Sequence, residues 1–103
     1  MPVKIDNENS ILTYLDKLDP EEREEMLGLM LVELLSGILH MPAENIDERI
    51  ALINLGIDSL LATELKQIIK FKFQVEISAL EFLKGINIKQ LSRSIMDRIA
   101  IAV

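Results

Sequence analysis

The stretch Leu55-Gly56-Ile57-Asp58-Ser59-Leu60 decides the fold, because a long irregular segment ends in it and a helix begins there. From Ser59 to about Lys72, apolar residues recur at helical spacing, and Leu61, Leu65, Ile68 and Ile69 fall on one face. Asp58 stands where a carboxylate can accept hydrogen bonds from the free amides of a first helical turn. Upstream, residues 42–58 contain no strong helix start. They read as a loop pinned by Ile46, Ile50, Leu52, Ile53 and Leu55.

Three features set Ser59 apart from an ordinary serine. It lies at a helix N-terminus, where unpaired amides and the helix dipole favour negative charge, so a phosphodiester on its hydroxyl is better held there than in mid-helix. Gly56 gives the backbone freedom to turn into the helix and lets a partner approach closely. Leu60 falls off the apolar face, nearer Ser59 and Gln67 on the helical wheel. An exposed leucine beside a modifiable serine reads as a docking contact.

Working outward, the pattern is helical on both sides. Asp19 caps a helix that opens with Pro20, Glu21 and Glu22 and runs to about His40, with Pro42 marking its end. Leu27, Met30, Leu31, Leu34, Leu35 and Ile38 share its broad apolar face, opposite Glu22, Glu25, Glu33, Ser36 and His40. Before it, residues 8–18 place Ile11, Leu12, Leu15 and Leu18 on one face, as a short leading helix or as a linker docked on the bundle. After the Ser59 helix, Phe73-Gln74-Val75-Glu76-Ile77 alternates like an extended link. Ser78 with Glu81 then forms a capping box for a short helix closed by Gly85. Asn87 with Gln90 forms another, opening a last helix that buries Ile88, Leu91, Ile95 and Ile99. The expectation is an all-α four-helix bundle: three main helices, one short helix, and a long loop between the first and second. Residues 1–18 form the leader and residues 19–103 the domain proper.

Composition narrows the chemistry. At 103 residues the chain fits one domain able to bury a core without cross-links. Seventeen acids against 11 bases leave a net charge of −6, which disfavours nucleic acid and suits basic patches on partner proteins. With no cysteine, disulfides, Cys metal sites and cysteine nucleophiles are excluded, and any thiol must come from an attached cofactor. A reducing cytoplasm is the expected location. The start, Met1 to Asn7, lacks the pattern of a signal peptide, and the apolar run Met26–Met41 is interrupted by Glu33 and His40 and is short for a bilayer. Calcium or zinc ligand spacing is absent, so no metal site is expected.

The Gly56-to-Leu60 segment resembles the attachment motif of acyl carrier proteins, Gly-x-Asp-Ser-Leu. Ile46-Asp47, Leu52 and Leu55 keep the upstream spacing of carrier domains in modular (type I) polyketide synthases, Leu61-Ala62-Thr63-Glu64-Leu65 resembles their second helix, and Asn87-Ile88 with Leu91 resembles the start of their last. The likeness covers roughly residues 20–98. It implies a carrier with no catalytic residues of its own. A phosphopantetheinyl transferase would attach 4'-phosphopantetheine from coenzyme A to Ser59, and the arm's thiol would hold acyl groups as thioesters for ketosynthase, acyltransferase and other acyl-processing domains. Asp58, by the same resemblance, helps position the serine and the metal–substrate complex in the transferase. Gly56 completes the cofactor-binding set, and Leu60, Leu61 and Glu64 are the docking candidates, with the helical phase of Leu61 favouring the core.

The sequence departs from the family in two places. Free-standing fatty-acid carriers show an acidic second helix, whereas Glu64 here is followed by Lys66, Lys70 and Lys72, which favours a synthase-type carrier. Many polyketide carriers have Asp-His-Pro before the last helix, where this chain has Lys84-Gly85-Ile86-Asn87. A serine hydrolase is ruled against, because Gly-Ile-Asp-Ser-Leu is not a Gly-x-Ser-x-Gly elbow and no strand precedes it. A peptidyl carrier of nonribosomal peptide synthesis is the nearest chemical rival, and a cofactor-free helical interaction module is the structural one. The domain is expected to be monomeric, with self-association through Leu12, Leu15 and Leu18 as the alternative.

Overall fold

Asp19 starts the main scaffold as its sequence foretells. In the computed structural model, which describes the backbone of residues 7–102 and the side chains of residues 11–99, Asp19 Oδ1 accepts from the Glu22 amide at 2.9 Å. The Glu22 carboxylate accepts the Asp19 amide in return, at 3.3 Å. This capping box opens α2 (Pro20–Leu39), whose Leu27, Leu31 and Leu35 are fully buried. The helix ends at His40, which adopts a left-handed conformation (φ 55°) ahead of Pro42.

Two further long helices complete the bundle. α4 (Ser59–Phe73) buries Ala62, Leu65, Ile69 and Phe73, and α5 (Ile88–Ala102) buries Ile88, Leu91 and Ile95. The start of α5 is a reciprocal cap: the Gln90 amide donates to Asn87 Oδ1 at 2.8 Å and the Asn87 amide to Gln90 Oε1 at 2.9 Å. α2 packs on α5, and one continuous core joins these helices to Val75, Ile77 and Phe82. Among the described residues the only β pairing is an isolated bridge between Ala51 and Asn87. The molecule is thus the expected all-helical, acyl-carrier-like bundle.

The leading segment is a helix, α1 (Asn7–Asp16), packed on α2 and α4. Ten residues are too few for a helix to be stable alone in water. Leu15, 1% exposed, supplies the anchor, since full burial of a leucine contributes about 1.5–3 kcal/mol. The self-association alternative loses its central residue, because Leu15 is already in the core.

Four local expectations need correction. Residues 42–58 are not loop throughout: they hold a 3₁₀ turn at Ala43–Asn45 and a one-turn helix, α3 (Leu52–Leu55). Of the residues expected to pin this segment, Ile46 and Leu52 are buried, but Ile50 and Ile53 are exposed at 40% and 42%. Ser78 does not form the box with Glu81; its hydroxyl takes the Leu80 amide at 3.2 Å, while the Glu81 amide bonds the Ser78 carbonyl at 3.0 Å. That i→i+3 bond makes Ala79–Leu83 a 3₁₀ turn instead of an α-helix. Phe73 belongs to α4, and the alternation after it survives as buried Val75 and Ile77 around exposed Glu76.

Candidate functional site

The site is built by a sharp turn between two helices. α3 closes when the amides of Asn54 and Leu55 bond the Ala51 carbonyl, at 2.9 and 3.2 Å. Gly56 then takes φ 121°, a conformation L side chains rarely adopt, and its amide bonds the Ile53 carbonyl at 3.3 Å. A Cβ on Gly56 would sit 3.4 Å from Leu39 Cδ2, so the turn rests directly on the end of α2. Ile57, 3% exposed, drives into the core, and its amide bonds the Leu52 carbonyl at 3.1 Å. The chain is therefore anchored two residues before Ser59.

Asp58 converts that anchor into a helix start. Its Oδ1 accepts from the Leu61 amide at 2.9 Å, and its carbonyl accepts from the Ala62 amide at 2.8 Å. Ser59 is the first residue of α4 and is exposed, so its hydroxyl faces solvent at the positive end of a 15-residue helix. The first amides of any helix lack an intrahelical acceptor; Asp58 takes that of Leu61, which leaves those of Ser59 and Leu60 pointing along the helix start. A phosphodiester on Ser59 fits this setting: it has room, and it meets amide dipoles beside a carboxylate already turned onto Leu61. Thr63 Oγ1 donates to the Ser59 carbonyl at 3.1 Å, bracing the first turn.

The docking candidates separate by environment. Leu60 is 69% exposed, the largest exposure of any big apolar side chain among the described residues. Glu64 is exposed one turn further along. Leu61 is half-buried and packed against the core, as its helical phase implies. Sequence reasoning passed over Ile53, exposed on α3, and Leu80, 60% exposed on the 3₁₀ turn that packs against both α3 and α4. In the sequence Ile53 reads as a pin, because an apolar residue in a loop carries no periodicity to show which way it faces. Ile57 was also passed over, although an isoleucine between a glycine and a capping aspartate is a signal of an anchored turn.

Among the described residues no group of three or more His, Asp or Glu side chains could hold a metal ion, and no helix is long and apolar enough to cross a membrane. Searches of curated proteins and of solved structures gave no match. The family model described as the phosphopantetheine attachment site does match, over residues 31–95. That span runs from the middle of α2 through the Gly56 turn and α4 into α5. The whole site just described lies inside it, and the chain belongs to the phosphopantetheine attachment family.

Proposed function

We propose that Ser59 is the residue that bears the 4'-phosphopantetheine of this family, and that the chain is an acyl carrier domain of a modular polyketide synthase. The observation that carries the reading is the exposed Ser59 hydroxyl at the head of α4, on a turn anchored by Ile57 and capped by Asp58. Attachment joins Ser59 Oγ to the phosphate of the arm as a phosphodiester, with coenzyme A losing its nucleotide portion and the hydroxyl proton passing to the transferase. When bound, the arm supplies a thiol that holds acyl groups as thioesters.

The chain's own side chains position and present. Asp58 fixes the register of the first turn, and in the transferase complex it orients the hydroxyl and its metal–substrate partner. Gly56, at a φ of 121° that L side chains rarely adopt, shapes the turn that delivers Ser59. Leu60 and Glu64 meet partners, with Leu61 contributing from a half-buried position. The polyketide assignment is supported by Ile57-Asp58 before the serine and by Lys66, Lys70 and Lys72 along α4. The partners are a phosphopantetheinyl transferase, then ketosynthase, acyltransferase and other acyl-processing domains, in the cytoplasm. The domain works as a monomer and contributes no catalytic group.

The test is the intact mass of the chain after incubation with coenzyme A, magnesium and a broad-specificity phosphopantetheinyl transferase, beside Ser59→Ala. One added arm on the native chain and none on the variant supports the assignment. An arm on the variant moves the attachment point elsewhere. No arm on a folded apo chain with several transferases favours a helical interaction module. Loading assays with malonyl-type and aminoacyl donors then separate a polyketide carrier from a peptidyl one.

A further inference from the structure

The segment that delivers Ser59 is fastened to a distant part of the chain. The Glu48 carbonyl accepts the two amides that open α5, from Ile88 at 3.1 Å and Lys89 at 3.3 Å. The Leu52 amide donates to the Ile86 carbonyl at 2.9 Å, and Ala51 bridges Asn87. These are backbone bonds, indifferent to the side chains present.

Asn87 adds a bond that is not indifferent. Its Oδ1 accepts the Gln90 amide, while its Nδ2 donates to the Arg49 carbonyl at 3.4 Å. A helix N-cap needs only an acceptor, so Asp, Ser or Asn would serve α5 almost equally. The donor toward Arg49 is what only the carboxamide supplies. On the opposite side the Arg49 amide is held by Asp47 Oδ1 at 2.9 Å, so Arg49 is gripped from both directions. Between there and Ser59 the Ile50 amide bonds the Asp47 carbonyl, Ala51 bridges Asn87, Leu52–Leu55 is helical, and the amides of Gly56 and Ile57 bond back onto Ile53 and Leu52.

We infer that Asn87 is a positioning residue for Ser59, its carboxamide locking the Arg49–Leu52 strip, and through it the attachment turn, to the N-terminus of α5. The inference rests on the reading of Ser59 as the attachment point. It gives the loop before α5 a part in how Ser59 is offered to an enzyme, 28 positions away in sequence (87 minus 59).

The test uses the full-length apo chain with Asn87→Asp and Asn87→Ser, both of which keep a capping acceptor and lack the amide donor. Urea midpoints report the cap, amide exchange at Leu52, Gly56 and Ile57 reports the strip, and transferase kinetics with coenzyme A report the presentation of Ser59. Both variants are expected to exchange those amides about three- to fivefold faster, to lower the folding equilibrium constant by no more than that same factor, and to raise the transferase KM for the carrier by a similar factor with kcat unchanged, the scale of one modest hydrogen bond. Faster exchange with an unchanged KM overturns the inference, as does no change in either. A wild-type chain that takes no arm overturns the Ser59 reading itself, and this inference with it. A wild-type chain modified at the same KM as both variants overturns this inference alone.

Discussion

Arg23 clasps the end of the preceding helix: its Nε donates to the Leu15 carbonyl and its Nη2 to the Leu18 carbonyl, each at 2.9 Å. Leu15 lies in the last turn of α1, where its carbonyl also takes the Leu18 amide at 3.1 Å, and Leu18 follows the helix, so the cation sits at the helix's negative end. Both bonds are part-buried, and the planar guanidinium reaches both acceptors at once.

Arg23→Met keeps the aliphatic stem and removes both donors. It should destabilise the fold by about 1.5–3 kcal/mol, the cost of losing two charge-assisted bonds and leaving the part-buried Leu18 carbonyl without its donor. Arg23→Lys should recover only part of this, because an ammonium cannot span both carbonyls. Urea unfolding with amide exchange along α1 checks the point, and an unchanged midpoint with unchanged α1 protection would dismiss the clasp.

Gly37 lies exposed in the last turn of α2, and a Cβ there would meet nothing within 4 Å. Gly37→Ala should therefore stabilise by about 0.5–1 kcal/mol through helix propensity alone. His40→Gly, which removes the side chain from a left-handed position, should add a gain of about 0.5–1 kcal/mol. Thermal melts of the single and double variants measure both, and a lower melting temperature for Gly37→Ala would mean that the terminal turn is held by something other than its own propensity.

Asp58 caps α4, and substitution can separate that role from the one proposed for it in the transferase complex. Asp58→Ala removes the acceptor of the Leu61 amide and should cost about 1 kcal/mol of stability. Asp58→Asn keeps a capping oxygen, so its stability should stay close to that of the native chain. If the carboxylate also orients Ser59 in the transferase, the Asn variant should be modified slowly despite folding normally. Equal modification rates for the Asn variant and the native chain would reduce Asp58 to a cap.

Lys70 Nζ lies 2.9 Å from Glu76 Oε2 on the surface, tying α4 to the link that follows it. This hydrogen bond, with the attraction of the two charges, lowers the Glu76 carboxyl from its ordinary 4.5 and raises the Lys70 ammonium from 10.5. A carboxyl lowered on folding contributes stability that is complete above its ordinary value and lost as pH falls through the lowered one. The raised lysine contributes at and below its ordinary value and loses its share as pH rises through the raised one. Glu76→Gln should therefore be less stable than the native chain near neutral pH, with the difference closing as pH falls through the lowered carboxyl value. Urea midpoints near neutral pH and in acid decide it, and a gap that persists once the carboxyl is protonated would show that the pair is not its origin.

What could be read from the sequence was what is encoded locally. Asp19 with Glu22 and Asn87 with Gln90 are three residues apart, and each pair makes the reciprocal cap its spacing implies. The junction at Asp58 and Ser59 and the exposure of Leu60 also follow from helical phase. Residues 42–58 resisted because their order comes from elsewhere: α3 has no side-chain cap and forms where Leu52 sinks into the core and Gly56 closes the turn. Nothing within that segment reports that Ile50 and Ile53 are left outside. The contacts of Arg23 with α1 and of Asn87 with Arg49 cross between elements, and no periodicity announces them.

Ile57 bears on how far cargo can travel. Because the chain is pinned in the core two residues before Ser59, an arm carried on Ser59 as proposed would be rooted on a fixed pivot, not on the tip of a swinging loop. The volume swept by a tethered group is then a shell set by the arm alone, centred on one point of a rigid body. Two active sites farther apart than that shell allows can be served in turn only if the whole bundle rotates or translates between them. In a multi-domain assembly, the reach of the carrier is consequently a property of whatever chain joins the bundle to its neighbours, and engineering that reach means changing tether length and stiffness while leaving the turn at Gly56 untouched.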